Sequence, residues 1–191
     1  MTKLLQSLLL GAALATNVAA KPSVTLTNLC NETPIQRVEA FTKLSKNVDH
    51  YTVLQKTGNV NFYKTRLQWT PINSGKYSFG LASQAKDTNI TNSETSLGLV
   101  GRIQSKLPGK GFGKMDVRYF PKTNTIEGYG FINNKDTFVD MLSGYNTKTG
   151  KGFHNPGIDF KMNKNKSFRI EANLDQNFKK RALRVGVRYR F

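Results

Sequence analysis

The chain's last nine residues, Leu183-Arg184-Val185-Gly186-Val187-Arg188-Tyr189-Arg190-Phe191, alternate without a break. Leu183, Val185, Val187, Tyr189 and Phe191 fall on one parity, and Arg184, Gly186, Arg188 and Arg190 on the other. A strand sends successive side chains to opposite faces, so this segment reads as a strand with one apolar and one cationic face. The same rhythm recurs back along the chain. Phe168, Ile170, Ala172 and Leu174 oppose Arg169, Glu171 and Asn173, and Ile158, Phe160 and Met162 oppose Asp159 and Lys161. Val139, Met141 and Tyr145 oppose Asp140; Met115, Val117 and Tyr119 oppose Lys114, Asp116 and Arg118. Leu97, Leu99, Gly101 and Ile103 alternate with Arg102 and Gln104. Tyr77, Phe79 and Leu81, then Tyr63, Thr65, Leu67 and Trp69, repeat the pattern.

Turn-forming clusters separate these runs at Pro71–Gly75, Pro108–Gly113, Pro121–Thr125, Asn133–Asp136 and Asn163–Lys166. Longer polar stretches lie at Lys86–Glu94, Thr147–Pro156 and Asp175–Lys180. With Tyr51–Gln55 as a first strand, and Thr125–Ile132 as a strand of undecided parity, the count lies at eight to ten, ten favoured. The fold class is therefore all-β, an antiparallel up-and-down barrel. The 191 residues suit one domain. A single cysteine, Cys30, excludes a disulfide framework, and two distant histidines, His50 and His154, give no metal-binding spacing. Expected cofactors are none.

Alternation alone also describes a soluble exported barrel that binds an anionic or amphiphilic ligand in an apolar interior. Charged faces on so many short strands favour the opposite sidedness, with apolar residues toward lipid and charged residues toward a polar lumen. Closure then satisfies every backbone donor and acceptor inside a bilayer. Trp69, Tyr77, Tyr119, Tyr145, Phe168 and Tyr189 recur near strand ends, where membrane interfaces favour aromatic rings. The terminal strand, with Leu183, Val185, Val187, Tyr189 and Phe191 at every other position, resembles the C-terminal assembly signal of bacterial outer-membrane β-barrels. That resemblance implies a porin-like protein of a Gram-negative outer membrane. It also implies outer-membrane lipid and the barrel assembly machinery as partners, and the basic loops suit contact with lipopolysaccharide phosphates by charge pairing.

The N-terminus agrees with export. Lys3 precedes an apolar stretch, Leu4–Leu14, too short to span a bilayer as a helix, and Asn17-Val18-Ala19-Ala20 offers small residues for cleavage after Ala20. Residues 1–20 read as a signal peptide, 21–48 as an N-terminal tether and short helix, and 49–191 as the barrel. Residues 21–32 suit a tether or a short extra strand. Thr33 and Gln36 form a capping box with Pro34 at the first helical position, and Ile35, Val38, Phe41 and Leu44 recur at threes. A short amphipathic helix follows from that spacing; a first β-strand is the alternative.

Charge supplies the functional reading. Lys and Arg number 29 against 12 Asp and Glu, a formal net charge of +17. Export and the dispersal of these charges argue against nucleic acid as partner. On the polar strand faces, Lys64, Arg66, Arg102, Lys106, Lys114, Arg118, Lys161, Arg169, Arg184, Arg188 and Arg190 stand against Asp116, Asp140, Asp159 and Glu171. Lys64, Arg66, Arg102, Arg118, Arg169, Arg184, Arg188 and Arg190 are the expected lumen basic patch, an arrangement that favours small anions. A salt-bridged interior is the competing arrangement. No catalytic residue is assigned. His154 sits in Gly152-Phe153-His154-Asn155-Pro156, read as a solvated loop, and a barrel-embedded hydrolase would need Asp140, Asp159 or Glu171 beside it. The expected protein is a structural or surface-interacting outer-membrane barrel with limited anion passage.

Overall fold

The computed structural model describes residues 23–29, 35–108 and 111–190. Residues 1–20, where a signal peptide is expected, and Phe191 lie outside the described residues. Twelve antiparallel strands follow in chain order: β1 Ser23–Leu29, β2 Ile35–Ser45, β3 Val48–Thr57, β4 Val60–Asn73, β5 Tyr77–Thr88 and β6 Thr91–Leu107. Next come β7 Gly111–Phe120, β8 Thr125–Asn133, β9 Thr137–Asn146, β10 Lys151–Lys161, β11 Lys166–Asp175 and β12 Lys180–Arg190. Each strand pairs with its sequence neighbours, and β1 pairs with β12, closing the barrel. Seven residue pairs make that seam, from Ser23 opposite Arg190 to Leu29 opposite Arg184.

The ten strands expected from periodicity are β3 to β12; the other two correct the reading of the N-terminal region. Ile35–Ser45 is strand β2, not an amphipathic helix, and Ser23–Leu29 is β1, so the barrel takes in residues assigned to a tether. Spacing by threes in Val38, Phe41 and Leu44 coincides with a period-two pattern in Arg37, Glu39 and Phe41. Pairing with strands on both sides decides between them, because it satisfies the β2 backbone along its length. The strand alternative for this segment is the one the fold adopts.

The long polar stretches are also shorter than expected. β5 and β6 extend to Thr88 and from Thr91, and β10 begins at Lys151. The loop end of the barrel therefore carries tight turns where long loops were expected. Asn and Asp side chains hold them: Asn146 Oδ1 accepts the Lys148 and Thr149 amides, and Asp175 Oδ1 accepts those of Asn177 and Lys179.

Sidedness is that of a barrel built for lipid. Among the described residues the buried side chains include twenty-one polar or charged ones against five apolar ones. Large apolar residues instead cover the outer wall, with Leu99 62% exposed and Trp69 50%. Leu67, Leu81 and Val117 are likewise exposed, while Ile170 and Val187 are half-buried by their neighbours. This arrangement removes the alternative of a soluble barrel with an apolar interior. Trp69, Tyr77, Phe79, Phe160 and Phe168 stand on the wall toward the end bearing the two termini, and Tyr63, Tyr119 and Tyr145 toward the other.

β8 settles the undecided parity of Thr125–Ile132. Its inward residues are Glu127, Tyr129 and Phe131, and its outward ones Ile126, Gly128, Gly130 and Ile132. Glu127 is buried at the centre of an ion-pair cluster, whereas a carboxylate on the outer wall would face lipid. A small apolar cluster of Ala82, Val100 and Phe120 fills the lumen beside β5, β6 and β7. Gly98 makes room for it: a Cβ there would lie 2.7 Å from the Phe120 ring.

Candidate functional site: the charged lumen

Inward parity on adjoining strands brings the expected basic residues into one interior. Lys64 and Arg66 come from β4, Arg102 from β6, Arg118 from β7, Arg169 from β11, and Arg184 and Arg188 from β12; all seven are buried. Arg190 is described through its backbone register opposite Ser23. The outward residues of the expected assembly signal, Leu183, Val185, Val187 and Tyr189, are half-buried on the wall of β12.

The arginines and lysines are extensively ion-paired. Around β3, β6 and β7, Asp116 Oδ1 accepts Arg102 Nε at 2.7 Å, and its Oδ2 accepts Arg118 Nη2 at 2.9 Å. Asp49 on β3 reaches Arg102 across the lumen and takes Lys114 Nζ at 3.3 Å. Gln68 Oε1 accepts Arg118 Nε at 2.8 Å. A second cluster joins β4 to β8: Glu127 takes Lys64 Nζ at 2.7 Å and Arg66 Nη1 at 3.1 Å. The third lies on β9 to β12. There Arg169 bridges Asp140, Asp159 and Glu171, each at 2.8 Å, while Arg184 reaches Glu171 at 2.6 Å and Arg188 reaches Asp159 at 2.6 Å. Arg37 and Glu39, neighbours on the inner face of β2, form a further pair.

Gly157 is what lets the third cluster form. A Cβ there would lie 2.6 Å from Asp140 Oδ1 and would collide with the Arg169 guanidinium. With no side chain on β10 at this point, the guanidinium crosses the strand and meets carboxylates from β9, β10 and β11 together.

These pairs correct the expected charge balance. Sequence parity left seven cations uncompensated. Among the described residues nine cations of the ion-pair clusters (Arg37, Lys64, Arg66, Arg102, Lys114, Arg118, Arg169, Arg184, Arg188) meet seven carboxylates (Glu39, Asp49, Asp116, Glu127, Asp140, Asp159, Glu171), an excess of two. Glu39 was missed because its strand read as a helix. Asp49 was missed because β3 was started three residues late, at Tyr51, and Glu127 because its strand's parity was open. Lys106 and Lys161 stand apart, at the end bearing the termini; the Lys161 ammonium binds the Asn134 and Lys135 carbonyls. The competing expectation of a salt-bridged interior describes most of the lumen.

An interior cavity of about 190 Å³ remains, lined by Arg37, Arg66, Arg118, Arg169 and Arg188 among others. Aromatic side chains share its wall. Phe131 stacks on Phe138 with centroids 5.0 Å apart, the Arg188 guanidinium lies 4.8 Å over Phe138, and that of Arg66 lies 5.0 Å over Tyr51. Several guanidinium donors stay unused: Arg37 Nε, Arg118 Nη1 and Arg184 Nε are buried without an acceptor.

His154 is not the solvated loop residue expected. It lies in β10 on the outer wall, where its Nδ1 is 2.9 Å from Ser143 Oγ on β9 and its ring stacks on Phe178. Asp140, Asp159 and Glu171 project into the lumen, through the wall from it, so they cannot complete a nucleophile–base–carboxylate triad. His50 is similarly placed on the wall of β3, with Nε2 2.9 Å from Thr65 Oγ1. In both places an outward polar ring is satisfied by a hydroxyl on the adjacent strand.

No known protein family matches the sequence, and no curated protein resembles it closely enough to count as a relative. Solved structures do resemble it in shape. The KdgM porin superposes with a TM-score of 0.67 at 15% identity, over 88% of this chain and 99% of that one; the same porin is also known in complex with disordered oligogalacturonate. The Acinetobacter baumannii outer membrane protein Omp33 gives 0.60 at 6% identity over 90% and 98% of the two chains. Outer membrane phospholipase A from Escherichia coli gives 0.52 at 11% identity over 89% and 92%. What these likenesses establish is the architecture, and the chain has the fold of bacterial outer-membrane β-barrels.

Proposed function

We propose that this protein is an outer-membrane barrel, exported by residues 1–20, whose lumen passes small anions. The observation that carries the reading is the pair of buried guanidinium donors, Arg37 Nε and Arg118 Nη1, left free beside a cavity where the described ion-pair clusters hold two cations in excess. An entering carboxylate or phosphate would supply the acceptors these N–H groups lack, without disturbing the existing pairs. Ion pairs across β3, β4, β6, β7 and β8 occupy part of the section, so passage suits small solutes. The oligogalacturonate complex of the KdgM porin, a polyanion in a barrel of this shape, agrees with that reading.

Planar bilayers under a salt gradient test it. The unmodified barrel should conduct with a reversal potential that favours anions. Arg118→Gln with Arg184→Gln removes two positive charges and should bring the potential close to zero, heat-modifiable gel migration confirming that the variant is folded. Cation preference in the unmodified protein, or no conductance, would overturn the proposal.

A further inference from the structure

The turn between β11 and β12 leans onto the outside of the barrel. Gln176 Oε1 accepts the Gly152 amide of β10 at 3.1 Å, and the Phe178 ring lies flat on that of His154, centroids 4.2 Å apart and planes 4° off parallel. The stack is made at a backbone cost. Phe178 has φ of 59°, in the left-handed region that a bulky side chain rarely enters. Its ring is nevertheless 63% exposed on the wall, with Tyr145 47% and Ile126 40% exposed on nearby strands. Strain retained at an exposed aromatic points to use of that surface.

Charge is distributed unevenly above this aromatic face. Lys148 in the β9–β10 turn, Lys151 at the start of β10 and Lys179 in the β11–β12 turn are exposed, and none has a carboxylate partner among the described residues. The nearest acid in these turns, Asp175, has an oxygen committed to the Asn177 and Lys179 amides. At the β5–β6 hairpin, by contrast, Lys86 lies near exposed Asp87 and Glu94. Lys148 and Lys179 thus bring two such ammonium groups to the turns beside this apolar, aromatic wall, and Lys151 adds a third at the mouth of the barrel, on the inward parity of β10.

The geometry points to a docking site for an acylated lipid whose head carries more than one phosphate, the lipid A part of lipopolysaccharide. The lysines take the phosphates, and Phe178, Tyr145 and Ile126 lie along the acyl chains. A zwitterionic phospholipid fits less well, because its own ammonium would meet lysines that lack counter-charges. The inference rests on the outer-membrane reading, and the test separates the two.

The full mature chain, folded from urea into phosphatidylcholine vesicles, is first scored for insertion by heat-modifiable migration. Detergent-solubilised barrel is then titrated with purified lipid A, and bound lipid is counted by native mass spectrometry. The unmodified protein should retain lipid A, and Lys148→Gln with Lys151→Gln and Lys179→Gln should weaken retention by about tenfold or more. Phe178→Ala should weaken it too, whereas Lys56→Gln with Lys86→Gln on the opposite sector should not. Dephosphorylated lipid A should bind no better to the unmodified protein than lipid A does to the triple variant. Equal retention by the triple variant, or equal retention of phosphatidylethanolamine, overturns the docking site and leaves the barrel assignment intact. Failure of the unmodified chain to insert overturns both.

Discussion

Glu127 offers the sharpest test of how dry the lumen is. Its carboxylate lies 2.7 Å from Lys64 Nζ and 3.1 Å from Arg66 Nη1, and the three side chains are 3%, 11% and 9% exposed. Glu127→Gln keeps the volume and removes the charge, leaving two adjacent cations without a counter-ion. If the cluster is shielded from water, breaking it should cost about 3–5 kcal/mol, the range for a buried pair that loses one member. If water fills the space between the strands, each pair contributes only about 0–1 kcal/mol and the loss should be small. Trp69 is the only tryptophan and stands on the outer wall, so its emission during urea titration in vesicles follows departure of β4 from lipid. We expect a loss near the lower end of the buried range, about 3 kcal/mol. Adding Lys64→Met to Glu127→Gln should recover part of that loss, because one orphaned cation is gone. A loss below about 1 kcal/mol, with Lys64→Met and Glu127→Gln additive, would refute the shielded-cluster account.

Three further outcomes follow from the geometry. Gly157→Ala should displace the Arg169 guanidinium and lower stability by about 1–3 kcal/mol in the same titration, more than an alanine at outward-facing Gly128, where a Cβ meets nothing within 4 Å. Leu99→Arg puts a cation on the exposed wall of β6 and should cost up to about 2–4 kcal/mol, depending on depth in the bilayer; in the same vesicles Leu99→Ile should be nearly silent. Deletion of Phe191 should leave the signal segment processed while the barrel fails to accumulate in the outer membrane, as read by fractionation.

Ten strands were legible because lipid outside and charge inside impose opposite chemistry on alternate residues, as in Leu97 to Gln104. The N-terminal pair was harder for a physical reason. In β2, Phe41 faces the lumen and Ala40 the outside, so the apolar alternation fails and the threefold spacing of Val38, Phe41 and Leu44 stands out instead. Only the partners on either side show which period the backbone follows. The same lack hid half of the electrostatics. Parity finds the arginines of β11 and β12 together with Asp140, Asp159 and Glu171 on the neighbouring strands, but Asp49 meets Arg102 across non-adjacent strands only because the sheet curls into a barrel. Glu127 was visible as a residue and hidden as a counter-charge, since two glycines on the opposite parity gave no hint of which face met lipid.

The seam between β1 and β12 bears on how the molecule comes into being. Ser23 and Arg190 pair at a separation of 167 residues, while every other strand pairs with its immediate neighbour in the chain. Assembly from local hairpins therefore leaves an open sheet with two free edges until β1 and β12 meet. Such edges invite pairing with other chains, and a contact this distant in sequence forms slowly. The barrel is consequently most exposed to aggregation at the stage just before it is complete. Arg184 and Arg188 stand on β12, which pairs with β11 as a local hairpin, so the third ion-pair cluster can form within the open sheet, before its two edges meet.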